Sequence, residues 1–174
     1  MIVYTNGKYT EENEALVNAN DRGYLLADGA YEGFRIYNGK IFKFKEHKDR
    51  FQRSLDELKI SYKIENEIEE IYENLFKKNS YTNENELFFY MQITRGVAPR
   101  DHAFPKQELK AGVYAFLVEK KINLDAYNNG IKVCTVPDNR WARCDIKCIS
   151  LVANCLAKQT AIDKGFADGL FVHD

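Results

Sequence analysis

Two Asn-Gly pairs, Asn6-Gly7 and Asn38-Gly39, each lie between short runs of apolar, strand-forming residues. They constrain the fold more than any other feature. Asn-Gly supplies the two positive φ angles of a type I′ turn, whose twist matches that of the flanking strands, so each pair predicts a tight antiparallel hairpin. The first joins Ile2 to Tyr4 with the strand containing Tyr9. The second joins a strand over 30–37, with Tyr31, Phe34, Ile36 and Tyr37, to Ile41, Phe42 and Phe44. The pattern then changes to a helical period. Phe51, Leu55 and Leu58 recur across 46–58 with charged residues between them, and Ile68, Ile71, Tyr72 and Leu75 repeat that spacing after Ile64. Leu87 to Ile93 and Val113 to Val118 are compact apolar runs of strand length. A sheet covered by two helices is expected for about the first 120 residues, an α+β arrangement.

Beyond that half, Asn128-Asn129-Gly130 ends a stretch with no sustained apolar period, which reads as a turn-rich connector before a strand over 131–136. The expected division is an N-terminal α+β domain over 1–122, a linker over 123–130, and the start of a second domain over 131–174. Leu151, Val152, Cys155 and Ile162 predict a helix there, capped by Ser150 and ended by Gly165, with a new strand from Leu170 to Val172. That second domain is expected to be opened and not finished.

Charge narrows the partners. Lys and Arg number 25 against 26 Asp and Glu, so no overall field attracts nucleic acid or an anionic membrane. No apolar run approaches the roughly 20 residues that cross a bilayer, and MIVYTNGKYT lacks the layout of a signal peptide; a cytoplasmic location is expected. Cys134, Cys144, Cys148 and Cys155 read as reduced thiols, and neither their spacing nor the placement of the His residues supports a metal site.

Three segments concentrate groups that can do chemistry. Asn139 to Cys148 crowds Arg140, Arg143, Lys147, Asp145 and the single Trp141 between a strand and a helix. Positive neighbours there would lower the pKa of Lys147 so that its neutral amine attacks a carbonyl, while the arginines hold a phosphate or carboxylate. The alternative is that the charges solvate a loop. In Thr94 to His102 a strand ends in a Gly- and Pro-bearing loop with Arg95, Arg100 and His102, able to clamp a carboxylate or to form a solvated turn. Glu46-His47-Lys48-Asp49-Arg50 opens the first long helix, where Arg50 either reaches a phosphate or pairs with Asp49 or Glu46.

Together and in this order, the segments resemble the class IV (fold-type IV) aminotransferases. Asp21-Arg22-Gly23-Tyr24 with Asp28-Gly29-Ala30-Tyr31-Glu32 is similar to that family's opening signature, and Glu46 to Arg50 to its phosphate-binding helix segment. Thr94-Arg95-Gly96 and Arg100-Asp101-His102 resemble the substrate loop of the D-amino-acid branch, and Arg140 to Lys147 its lysine segment. The resemblance implies a two-domain D-amino-acid aminotransferase-like fold, with the N-terminal α/β sandwich complete and the second domain incomplete. It also implies pyridoxal 5′-phosphate as cofactor and transamination between a D-amino acid and a 2-oxo acid in a homodimer. Lys147 would form the Schiff base and shuttle the proton. Arg50 would hold the cofactor phosphate, with Arg140 nearby in support. Tyr31, Arg100 and His102 would bind the substrate α-carboxylate, the last two reaching in from the other subunit. Arg100 and His102 set the subclass against a branched-chain aminotransferase or an aminodeoxychorismate lyase.

In the family, the acid that pairs with the pyridine nitrogen and most backbone donors to the phosphate lie beyond the position of Asp174. A chain stopping there is expected to hold the cofactor weakly and transaminate poorly, and the alternative in another class is a non-catalytic truncated remnant.

Overall fold

Asn6 and Gly7 have φ of 50° and 92°, Asn38 and Gly39 of 49° and 70°, the left-handed pairs that a type I′ turn needs. A computed structural model of the protein, which describes residues 1–173, places a hairpin at each. The first pairs β1 (Ile2–Thr5) with β2 (Lys8–Glu11), and the second pairs β3 (Gly29–Tyr37) with β4 (Lys40–Ile41). The second hairpin is shorter than expected. Only Lys40 and Ile41 pair; Lys43 turns into the left-handed region at φ 51° and Phe44 opens helix α2 (Phe44–Glu57). Between the hairpins, α1 (Arg22–Leu26) is capped by Asp21, whose side chain accepts from the Gly23 N–H.

The chain groups into two compact units, Met1–Lys121 with Asp145–Ile149, and Ile122–Cys144 with Ser150–Asp174. In the first, β5 (Leu87–Thr94) and β6 (Gly112–Glu119) complete an antiparallel sheet of order β2-β1-β6-β5-β3-β4. Side chains alternate across it, as the two-residue period of a strand requires. Phe34 and Ile36 of β3, Phe89, Met91 and Ile93 of β5, and Ala115 and Leu117 of β6 are fully buried. They form one core with Phe51 and Leu55 of α2 and Ile68, Ile71 and Leu75 of α3 (Glu67–Lys78). Each large side chain so buried contributes about 1.5–3 kcal/mol; of the residues expected on the apolar faces of the two helices, Leu58 alone, just past the end of α2, is only partly buried against this core. Tyr31, Tyr90 and Phe116 occupy the other register, Tyr90 stacking on Tyr31 at 5.5 Å and on Phe116 at 5.0 Å between ring centroids. Burial pushes the Tyr90 hydroxyl up to about 12, and it donates to Gln92 Oε1 at 2.9 Å.

In the second unit, β7 (Val133–Pro137) and β8 (Asp168–Val172) pair in parallel, with α5 (Val152–Asp163) as the connection between them. Three expectations are corrected here. The stretch read as a connector carries a short helix, α4 (Leu124–Asn129), because Asn123 accepts from the Ala126 N–H and caps it. The cap of α5 is Leu151, without a side-chain hydrogen bond, rather than Ser150. The buried face of α5 is Ala157 and Ala161, while Val152, Cys155 and Ile162 are exposed. Small residues are needed there, since a Cβ on Gly169 would stand 3.1 Å from the Ala157 carbonyl oxygen. Gly165, at φ 76°, follows the helix end as expected. Among the described residues, no helix is long and apolar enough to cross a membrane, and no group of His, Cys, Asp or Glu forms a metal-ligand set.

Candidate active site

Lys147 is fixed through its backbone. Its N–H donates to Ser54 Oγ at 3.1 Å, and its carbonyl accepts from the Tyr31 N–H at 3.0 Å. Cys148 bridges to Ala30, and the Ile149 N–H donates to the Gly29 carbonyl at 3.1 Å. Residues 147–149 thus run antiparallel along the start of β3. Gly29 permits that approach, because a Cβ there would come within 3.0 Å of the Ile149 side chain and 2.7 Å of the Ile93 carbonyl. Ile146 and Cys148 are buried, and Lys147 between them is half-buried. Its Nζ lies 4.0 Å from the centroid of the Tyr31 ring and has no carboxylate partner among the described residues. Lys147 and Tyr31, named from sequence, are therefore brought together. The thiol beside the lysine, Cys148, points into the fold.

Arg50 lies in the same unit, on α2. Its Nε and Nη2 donate to Glu32 at 2.7 Å each, and His47 Nδ1 stands 3.2 Å from the same carboxylate. The partner is thus Glu32 of β3, not Asp49 or Glu46. Glu32 occupies the helix-facing register between Ala30 and Phe34 and is fully buried, while Arg50 is 44% exposed. The hydrogen bonds it donates to Glu32 raise the Arg50 pKa further above its already high value. A bidentate pair through Nε and Nη2 leaves Nη1 for an anion.

Arg100 and His102 are exposed on the loop between β5 and β6, and neither meets Lys147. What holds their loop is Arg22, a fully buried arginine, whose Nη1 donates to the carbonyls of Asp101 at 2.6 Å and Ala103 at 3.3 Å. Arg22 Nε donates to Asp28 at 2.8 Å, and Arg95 holds the same carboxylate with bonds of 2.7 and 3.0 Å. Burial pushes the Asp28 carboxyl up, but the two guanidiniums outweigh it and hold it below the usual carboxylate range. The remaining donors of Arg95 reach the Leu58 and Lys59 carbonyls at 2.7 and 2.8 Å, satisfying the C-terminal end of α2. Arg95 therefore serves the fold.

In the second unit, Arg140 makes two bonds to Asp138, of 2.9 and 2.6 Å, and packs over the Phe171 ring. Those bonds pull the Asp138 carboxyl down to about 2. A cleft of about 430 Å³ lined by Lys59, Arg95, Phe104 and Leu109 contains none of the expected site residues. Sequence reasoning missed Ser54, and it read Arg22, Asp28 and Glu32 only as parts of the opening signature, without the ion pairs they make. For Glu32 a signal existed, since alternation along β3 assigns a charged residue to the apolar face.

Residues 29–174 match the family described as Amino-transferase class IV. A D-alanine aminotransferase of Staphylococcus haemolyticus is 43% identical over 162 residues, covering 92% of this chain and 56% of that protein. One of Staphylococcus epidermidis is 40% identical over 170 residues, covering 97% and 59%. Among solved structures, the branched-chain amino acid aminotransferase of Escherichia coli superposes with a TM-score of 0.82 at 19% identity over 99% of this chain and 59% of its own. A hypothetical aminotransferase of Mycobacterium tuberculosis in a PLP-bound form gives 0.81 at 16% over 99% and 62%. The chain belongs to the class IV aminotransferase family and has its α+β fold. It spans somewhat more than half the length of the D-alanine aminotransferases it matches.

Proposed function

We propose that this chain supplies the lysine, and part of the cofactor and carboxylate sites, of a pyridoxal-phosphate-dependent transaminase acting between a D-amino acid and its 2-oxo acid. The observation that carries the reading is Lys147. Its main chain is hydrogen-bonded on both sides while its amine rests on an aromatic ring and, among the described residues, on no carboxylate. An amine engaged in a structural ion pair would be a poor nucleophile; one held without such a pair suits attack on a carbonyl carbon. The residues present fit the cofactor, with Lys147 for its aldehyde and the free Nη1 edge of Arg50 for its phosphate. When bound, that cofactor supplies the electron sink for the carbanion left at the substrate α-carbon.

The chain's own groups do the rest. Lys147 Nζ carries the proton to and from the α-carbon, and the Glu32–Arg50 pair holds a guanidinium at fixed orientation for a dianion. Arg100 and His102, exposed on a loop whose backbone is fixed, receive the α-carboxylate of a substrate bound to a second copy of the chain, with Tyr31 as the receptor within the same copy. Arg140, paired with Asp138, keeps the supporting role toward the cofactor that the family resemblance implies. The D-specific reading draws on 40–43% identity to D-alanine aminotransferases, and a cytoplasmic homodimer is proposed with it.

The test is borohydride reduction in the presence of pyridoxal phosphate, followed by peptide mapping. The pyridoxyl group is expected on Lys147; recovery on Lys132 or Lys158 would overturn the assignment. Lys147→Ala should abolish the label and lower transamination of D-alanine by roughly 10²–10⁴-fold.

A further inference from the structure

Ser54 lies on α2 one turn beyond Arg50 and has no exposed surface. Its hydroxyl donates to the Arg50 carbonyl at 2.9 Å, the back-bond common to serines inside helices. With the proton committed there, a lone pair is left to accept, and the Lys147 N–H donates to it at 3.1 Å. Packing does not require a hydroxyl at this position. Phe51 and Leu55, the other buried residues of this helix, are apolar, and an alanine would fill nearly the same space. The hydroxyl has one partner outside its own helix, the residue whose amine is proposed to react.

We infer that Ser54 is a positioning residue for Lys147: by accepting its N–H, the hydroxyl fixes the lysine backbone against the helical turn that carries Arg50. Two groups proposed to engage one cofactor are thereby set in mutual register, from α2 through Ser54 and from β3 through the Tyr31 N–H. Arg53, the residue before it on α2, adds a bond from Nη2 to the Asp145 carbonyl at 2.6 Å. Geometry matters here because reacting atoms must be held near their attack distance, and small displacements cost large factors in rate. The inference rests on the reading of Lys147 given above.

The test compares wild type, Ser54→Ala, Ser54→Cys and Ser54→Thr in the full chain. Three readouts are taken: amide exchange of the Ile146–Cys148 peptide without cofactor, the site of borohydride labelling, and kcat and KM for D-alanine in a catalytically complete protein carrying the same substitutions. Ser54→Ala should speed exchange at Lys147 by about tenfold and lower kcat by a similar factor. KM should stay within about twofold. Ser54→Cys, close in size but a poor acceptor, should do the same, so the inference remains testable if the alanine variant does not fold. Ser54→Thr, which keeps the hydroxyl, should restore both. Label on Lys147 in all variants, with exchange and kcat unchanged and only the melting temperature lowered, would overturn the positioning role alone. Label on another lysine in wild type would overturn the reading beneath it.

Discussion

The lysine segment and the loop carrying Arg100 and His102 belong to the same compact unit, yet they are held in opposite ways. Around Lys147, neighbours Ile146 and Cys148 are buried, both main-chain groups of the lysine are bonded, and Asp145 is gripped by Arg53. In the loop, Arg100, Asp101 and His102 are all exposed, and the buried Arg22 guanidinium holds the backbone beside them through the Asp101 and Ala103 carbonyls. The amine proposed to meet one carbon would need a fixed origin, because misplacement there costs rate. The proposed receptor for a carboxylate would need donors that reach, and a loop anchored at its backbone with its side chains in solvent suits that. The two regions share one root. Asp28 holds Arg22 and thereby the loop, while the adjacent Gly29 accepts from the Ile149 N–H and so holds the lysine segment.

The largest break in this comparison should come at that root. Asp28→Ala leaves Arg22 and Arg95 as buried guanidiniums without a counter-ion, and removing one partner of a buried pair costs about 3–5 kcal/mol. A urea titration should show the midpoint falling by that equivalent, and an unchanged midpoint would mean that the loop and the fold are anchored elsewhere. Next in size, Arg100→Ala in a catalytically complete protein should raise KM for D-alanine by the equivalent of about 1.5–3 kcal/mol, the loss of a charged hydrogen bond. Its melting temperature should not move; the reverse pattern would make this arginine a structural residue like Arg95.

Acid sharpens the comparison further. The folded pKa of Asp28 is held below its unfolded value of about 3.9. Its stabilising contribution is therefore complete above about pH 4 and is lost as pH falls through the lower, folded value. Melting temperatures followed from about pH 6 to about pH 3 should decline in wild type more steeply than in Asp28→Asn, which lacks that titration. The smallest effect is expected at the other region's surface contact. Arg53→Ala, which removes an ion pair to Asp145 with both side chains 47% exposed, should cost less than about 1 kcal/mol. A larger loss would shift the hold on the lysine segment from Ser54 to Arg53.

Much of the fold was legible because local rules and tertiary packing agree. Asn-Gly at 6–7 and 38–39 made hairpins, and the helical period placed Phe51, Leu55, Ile68, Ile71 and Leu75 in the core. What was not legible lies across the sheet. Arg50 has acidic neighbours at Glu46 and Asp49, and nothing local indicates that Glu32, on another element, would take it. Arg95 reads as a loop cation beside Arg100, yet one is buried under the fold and the other is exposed, a distinction set by Asp28 and by the carbonyls at the end of α2. On α5 the apolar pattern identified a helix but not its buried face, because close approach to β8 selected alanines over the larger side chains. Lys147 was singled out through its motif, and the bonds that hold it were not legible, since Ser54 carries no signal separating a helical serine on the surface from one inside.

The first unit is not one continuous stretch of chain: after Lys121 its last piece, Asp145–Ile149, returns from beyond residues that belong to the second unit. During synthesis, every strand of the six-stranded sheet has emerged before that piece exists. The sheet can assemble early, as N-terminal parts of a chain generally do. The β3 edge near Ala30 then stands open, since β4 pairs only with Ile36 and Tyr37 further along, and an open edge invites wrong partners. Insertion of 147–149 closes it, and the added chain length makes the closure only slightly harder, because loop entropy grows with the logarithm of length. The nascent protein therefore has a scaffold before it has the amine proposed to react, and sealing the exposed edge and placing Lys147 are a single event.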